Sequence, residues 1–60
     1  MYYFVSYNWS NRNGENGSAC TVVEMEEKIN TNNIADLHNK LVEMAKYADT
    51  VVILNFKLLD

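Results

Sequence analysis

Residues 2–9, YYFVSYNW, carry an aromatic or β-branched side chain at every odd position, Tyr3, Val5, Tyr7 and Trp9, and at the first even positions too, Tyr2 and Phe4. Such residue types in period-two alternation are the pattern of a β-strand. A strand that is apolar on both faces wants cover on both faces, which agrees with a place at the centre of a sheet. It ends in SNRNGENGS, where Asn13-Gly14 and Asn16-Gly17 can each supply the positive φ angles of a tight hairpin turn. A second strand is expected near Ala19 to Glu26, with Ala19, Thr21, Val23 and Met25 on one side and Cys20, Val22, Glu24 and Glu26 on the other. Its acidic end suits a sheet edge, where charge discourages unwanted pairing.

KINTNN, residues 28–33, has no strong period and reads as the connection into a helix. Asn33 is the expected N-cap, and Asp36 lies where a carboxylate meets the positive end of the helix dipole. Ile34, Leu37, Leu41, Met44 and Ala48 repeat at spacings of three and four, one apolar stripe on a helix running to about Tyr47. Asn39, Lys40, Glu43 and Lys46 form the solvated side. The closing TVVILNFKLL is apolar at both parities and reads as a third strand.

The order strand, strand, helix, strand admits few topologies. The hairpin is antiparallel, and the helix returns the third strand to the same sheet beside the first. The expected fold is therefore α+β: one ββαβ domain over residues 1–60, with a three-stranded antiparallel sheet in the order 2-1-3 and one helix on one face.

One helix covers one face. By simple alternation Tyr3, Val5, Tyr7 and Ile53 cannot share that face with Phe4, Val52, Leu54 and Phe56, so the second face is expected to be apolar and open. A chain of sixty residues also buries only about 60% of the surface that its unfolded form exposes. Cys20 is the single cysteine and His38 the single histidine, which leaves no intrachain disulfide and no metal site to reinforce the core. A homodimer answers both needs, and pairing of third-strand edges into a six-stranded sheet is one way to build it.

Five basic residues against eight acidic give a net charge of −3, which disfavours general nucleic-acid binding. The longest apolar stretch, VVILNF, is too short to span a bilayer. The start MYYFVSYNW lacks the basic region and cleavage site of a signal peptide, and together with the free thiol it leads to an expectation of a reducing cytoplasm. Catalysis is not expected. His38 has no nucleophile at a meaningful offset, Cys20 has no basic neighbour to activate it, and the two glycines belong to turn pairs rather than to a phosphate loop. No cofactor is expected.

The richest cluster of polar and aromatic groups lies at the hairpin. Tyr7 and Trp9 offer stacking surfaces, Arg12 a planar fork for phosphate or carboxylate, and Asn8, Asn11 and Asn13 amide donors and acceptors. That set suits a small nucleotide-like ligand. The competing reading makes Tyr7 and Trp9 packing residues and the asparagines turn formers.

In size and layout, through MYYFVSYNW, the Asn-Gly hairpin and VVILNFKLL, the chain resembles the short acidic accessory proteins of phages and other mobile elements, some of which are anti-CRISPRs or sponges of nucleotide immune signals. The resemblance implies a stoichiometric binder in the host cytoplasm that sequesters a nucleotide-derived signal. The alternative is an inhibitor that blocks a host defence protein through the exposed sheet face or the acidic edge.

Overall fold

The computed structural model describes residues 1–59. Strands β1 (Tyr2–Ser10) and β2 (Asn16–Glu24) are followed by helix α1 (Ile34–Met44) and strand β3 (Thr50–Leu58). The sheet has the order β2-β1-β3 with both neighbouring pairs antiparallel. The α+β topology is the one expected from the order strand, strand, helix, strand.

A single Asn-Gly pair makes the hairpin turn. Gly14 takes the left-handed conformation at φ 82°, and its amide donates to the Asn11 carbonyl at 3.2 Å. The Asn11 side-chain oxygen accepts from the amides of Asn13 and Glu15, both at 3.0 Å, which closes the turn on itself. Gly17 has another task. It faces Trp9 in the β1–β2 register, and a Cβ there would stand 3.1 Å from Trp9 Nε1. With only the first pair used for turning, β2 starts at Asn16 rather than near Ala19 and ends at Glu24 rather than Glu26.

Helix α1 also departs from the expected outline. Its core stripe is Leu37, Leu41 and Ala45, all fully or almost fully buried, whereas Met44 is exposed. The last turn closes with the Ala45 amide on the Leu41 carbonyl at 2.8 Å, and the Ala48 amide on the Ala45 carbonyl at 3.0 Å then steers the chain toward β3. The helix thus ends at Met44, three residues before Tyr47, and Ala45 takes the core position that a spacing of three had given to Met44. Asn33 occupies the cap position without a side-chain bond to the helix. Its oxygen accepts from the Asn30 amide at 2.7 Å and its amide donates to the Lys28 carbonyl at 2.8 Å. It shapes the loop before the helix instead of its first turn.

The core lies between α1 and one face of the sheet. Tyr3, Val5 and Tyr7 from β1 meet Val23, Met25, Leu37, Leu41, Ala45 and Val51. Tyr3 satisfies its hydroxyl by accepting from the Ile29 amide at 3.0 Å, the partner that a buried phenol requires.

A bulge in β3 changes which side chains share this face. Ser6 of β1 pairs with Asn55, but Tyr7 pairs with Ile53, so Leu54 is an extra residue that reverses the alternation along the strand. Val51 and Ile53 therefore face the helix together with Phe56, which pairs with Val5. The Phe56 ring sits edge-on to Tyr3 with centroids 5.9 Å apart and planes at 72°. Simple alternation had put Phe56 on the opposite face, where Asn55 and Lys57 stand instead.

Candidate functional site

The hairpin residues do not converge on one cavity. Tyr7 is buried, and its hydroxyl lies 2.9 Å from that of Tyr47. The shared hydrogen bond, reinforced by burial, pushes the Tyr7 phenol up to about 12. Trp9 is half-buried. The Tyr47 ring stands edge-on to it, with centroids 4.9 Å apart and planes at 80°. These two aromatics therefore belong to the packing between β1 and the turn after the helix.

Asn8 points the other way, onto the uncovered face, where its side-chain oxygen accepts from Ser18 Oγ at 2.6 Å. Asn11 holds the turn and also donates from Nδ2 to Glu15 Oε1 at 3.1 Å. The Asn13 backbone amide completes that turn. Arg12 is almost wholly exposed and anchored to Asp49. Its backbone amide donates to Asp49 Oδ2 at 2.6 Å, and its Nε lies 3.5 Å from Asp49 Oδ1. The Asp49 amide in turn donates to the Ser10 carbonyl at 2.8 Å.

The structure thus groups Tyr7 with Trp9, and Asn11 with Arg12 and Asn13, and places Asn8 apart from both. Sequence reasoning missed Tyr47 and Asp49. Tyr47 breaks the polar side of the helical pattern, which was the one available signal. Nothing local marks Asp49 as the partner of a residue 37 positions away.

Three other surfaces stand out. A groove of about 570 Å³ runs between α1 and the chain after β2, with Glu26, Glu27, Asp36 and Glu43 on its walls beside Lys40. Four carboxylates against one ammonium make it repellent to phosphates. Among the described residues no group of three or more His, Cys, Asp or Glu side chains could hold a metal ion. A shallower apolar groove of about 420 Å³ lies between α1 and β3, lined by Ile34, Ala35, His38, Val51, Val52 and Ile53.

The third surface is the face of the sheet away from α1. Phe4, Val22, Val52 and Leu54 are each between 41% and 55% exposed there. Cys20, Ser18, Asn8 and Asn55 lie among them, and Glu24 and Lys57 stand at the two edges. No helix among the described residues is long and apolar enough to cross a membrane. No family model, curated protein or solved structure matches the chain.

Proposed function

We propose that this is a non-catalytic binding protein that engages a protein surface, one molecule for one molecule, through the uncovered face of its sheet. The observation that carries the proposal is the exposure on that one face of two apolar groups, Phe4 with Val22 and Val52 with Leu54, on either side of the Ser6–Asn55 row, since exposed apolar surface rimmed by polar residues marks interaction sites. The scatter of the hairpin residues argues in the same direction. Arg12 Nε is 3.5 Å from the Asp49 carboxylate and Trp9 has Tyr47 edge-on to its ring, so each is held by its own partner and not by a shared pocket. Blocking a host defence protein, by exchange with whatever covers the face in the free protein, is the use that such a face would have among the anti-defence proteins that the chain resembles.

A photo-crosslinking amino acid placed at Val22 or Val52, compared with one at the exposed helix position Lys46, tests the proposal in the cell that makes the protein. The expected result is a defined protein adduct from the two sheet positions and none from the helix position. Adducts from neither sheet position, or nucleotides that raise the melting temperature of the purified protein, would overturn it.

A further inference from the structure

We infer that the occupant of the uncovered face is the same face of a second copy, packed about a two-fold axis that runs along β1. This assignment rests on the reading of that face as an interaction surface, and it goes further by naming the partner and its orientation.

The dimensions come first. Three strands of nine residues, about 4.8 Å apart and rising about 3.3 Å per residue, present roughly 400 Å² in plan, so two such faces bury about 1,000 Å² once side-chain relief is included. That is the lower end for a specific interface. It fits a dimer in reversible equilibrium, which is what a small chain with a thin core needs.

Edge pairing is the competing route, and the edges are obstructed. The Glu24 carbonyl on β2 accepts from Lys40 Nζ at 2.9 Å, and the Val51 carbonyl on β3 accepts from His38 Nε2 at 2.9 Å. The Phe56 amide donates to its neighbour's Asn55 Oδ1 at 2.9 Å. The bulge at Leu54 further breaks the regular spacing that an added strand would need. A sheet extended through β3 would have to undo these contacts, whereas face-to-face packing leaves them intact.

The orientation follows from the rows of the sheet. Val22 and Lys57 both pair with Phe4, and Glu24 pairs with Tyr2, so Glu24 and Lys57 lie near one end on opposite edges. An axis along β1 sets β2 over the partner's β3. Phe4 then meets the partner's Phe4 across the axis. The stem of the partner's Lys57 lies on Val22 with its ammonium directed to Glu24, and the partner's Leu54 covers Cys20. The contact between Lys57 and Glu24 forms twice. Turning the axis across the strands would put Phe4 on the hydrogen-bonded Asn8–Ser18 pair and move Lys57 to the far end from Glu24. In the arrangement along β1 the Ser18 hydroxyl enters the interface with its bond to Asn8 already made, as buried polar groups require.

Sedimentation equilibrium of the full chain is the first test, with circular dichroism confirming that each variant is folded. The expected result is a monomer–dimer equilibrium in the micromolar range that Phe4→Glu weakens about tenfold or more. Glu24→Lys and Lys57→Glu should each weaken it, and the double exchange should restore it. In a Cys20→Ser background, Ser6→Cys lies on the axis and should form a disulfide-linked dimer on oxidation. A monomer throughout, a dimer indifferent to Phe4→Glu, or a double exchange that fails to restore association would overturn the assignment. If the adduct from position 22 or 52 contains a different protein while the chain alone stays monomeric, this assignment fails and the proposed binding function stands. If both positions yield no adduct and the chain is monomeric, both fail.

Discussion

His38 and Lys40, two residues apart on α1, hydrogen-bond to backbone carbonyls on opposite edge strands, Val51 on β3 and Glu24 on β2. Two residues correspond to about 200° of helical rotation, so the pair leaves the helix on its two flanks and straddles the three strands. A carbonyl only accepts, so the His38 bond requires the proton on Nε2. The helix therefore covers one face of the sheet and also occupies an acceptor on each edge, which is where sheets are open to unwanted partners.

The first prediction tests that bracing. Replacing both residues, His38→Ala with Lys40→Ala, removes two partly exposed hydrogen bonds and should cost about 1–2 kcal/mol at most. The larger effect should be kinetic: faster growth of light scattering on mild heating than in either single variant. Equal aggregation rates in all forms would show that the edges need no such cover.

The second concerns the helix stripe. Leu41→Ala should cost about 2–5 kcal/mol, as buried leucine truncations do, enough to unfold a chain of this size at ambient temperature. Met44→Ala, at an exposed site, should stay within about 0.5 kcal/mol. Thermal melts of the two variants side by side measure the difference.

The third is a pH dependence. The Tyr7 phenol is raised from 10.0 to about 12, first by its hydrogen bond to Tyr47 and then by burial. A raised phenol binds its proton more tightly in the folded state than in the unfolded chain. Its contribution to stability is therefore complete below pH 10 and is lost as the pH climbs from 10 through about 12. Tyr7→Phe should lose stability at neutral pH and show a shallower alkaline decline than wild type. In a phenolate absorbance titration of the folded protein, a component should appear near pH 12 rather than 10.0, and Tyr7→Phe should remove it.

The fourth separates the two glycines. Gly14→Ala forces an L side chain into a left-handed conformation at φ 82° and should cost about 1–2 kcal/mol. Gly14→Asn should recover part of that loss, since asparagine tolerates this region. Gly17→Ala has no such backbone demand. It should act by displacing the Trp9 ring, 3.1 Å from the added Cβ, and so should change tryptophan fluorescence, which Gly14→Ala should leave alone. Denaturation curves recorded by fluorescence and by circular dichroism distinguish the two mechanisms.

The strand order was legible from the order of the elements: the hairpin sets β2 beside β1, and the helix returns β3 to the other edge of β1. The helix was legible through Leu37 and Leu41. Its end was not, because the choice between Met44 and Ala45 for the next core position depends on where the chain must turn to reach Thr50, a tertiary matter. The choice between Asn13-Gly14 and Asn16-Gly17 was likewise unreadable locally. It is decided by Trp9, whose ring needs a residue without a side chain across from it. At the hairpin the residue types were identified but their company was not. Tyr47 and Asp49, which engage Trp9, Tyr7 and Arg12, lie far along the chain. A ligand set and a packing set of aromatic and asparagine residues look alike until those partners are placed.

The extra residue at Leu54 divides β3 into two reading frames. Before it, odd-numbered side chains face the helix; after it, even-numbered ones do. Loss of that one codon would put the whole strand in a single frame. Phe56 and Leu58 would still face the helix and Asn55 and Lys57 the open side, whereas pairing the same nine residues without the bulge would swing Phe56 and Leu58 outward and drive Asn55 and Lys57 against the helix. The apolar character of the open face is thus set by where the bulge sits in β3 as much as by which residues the strand contains.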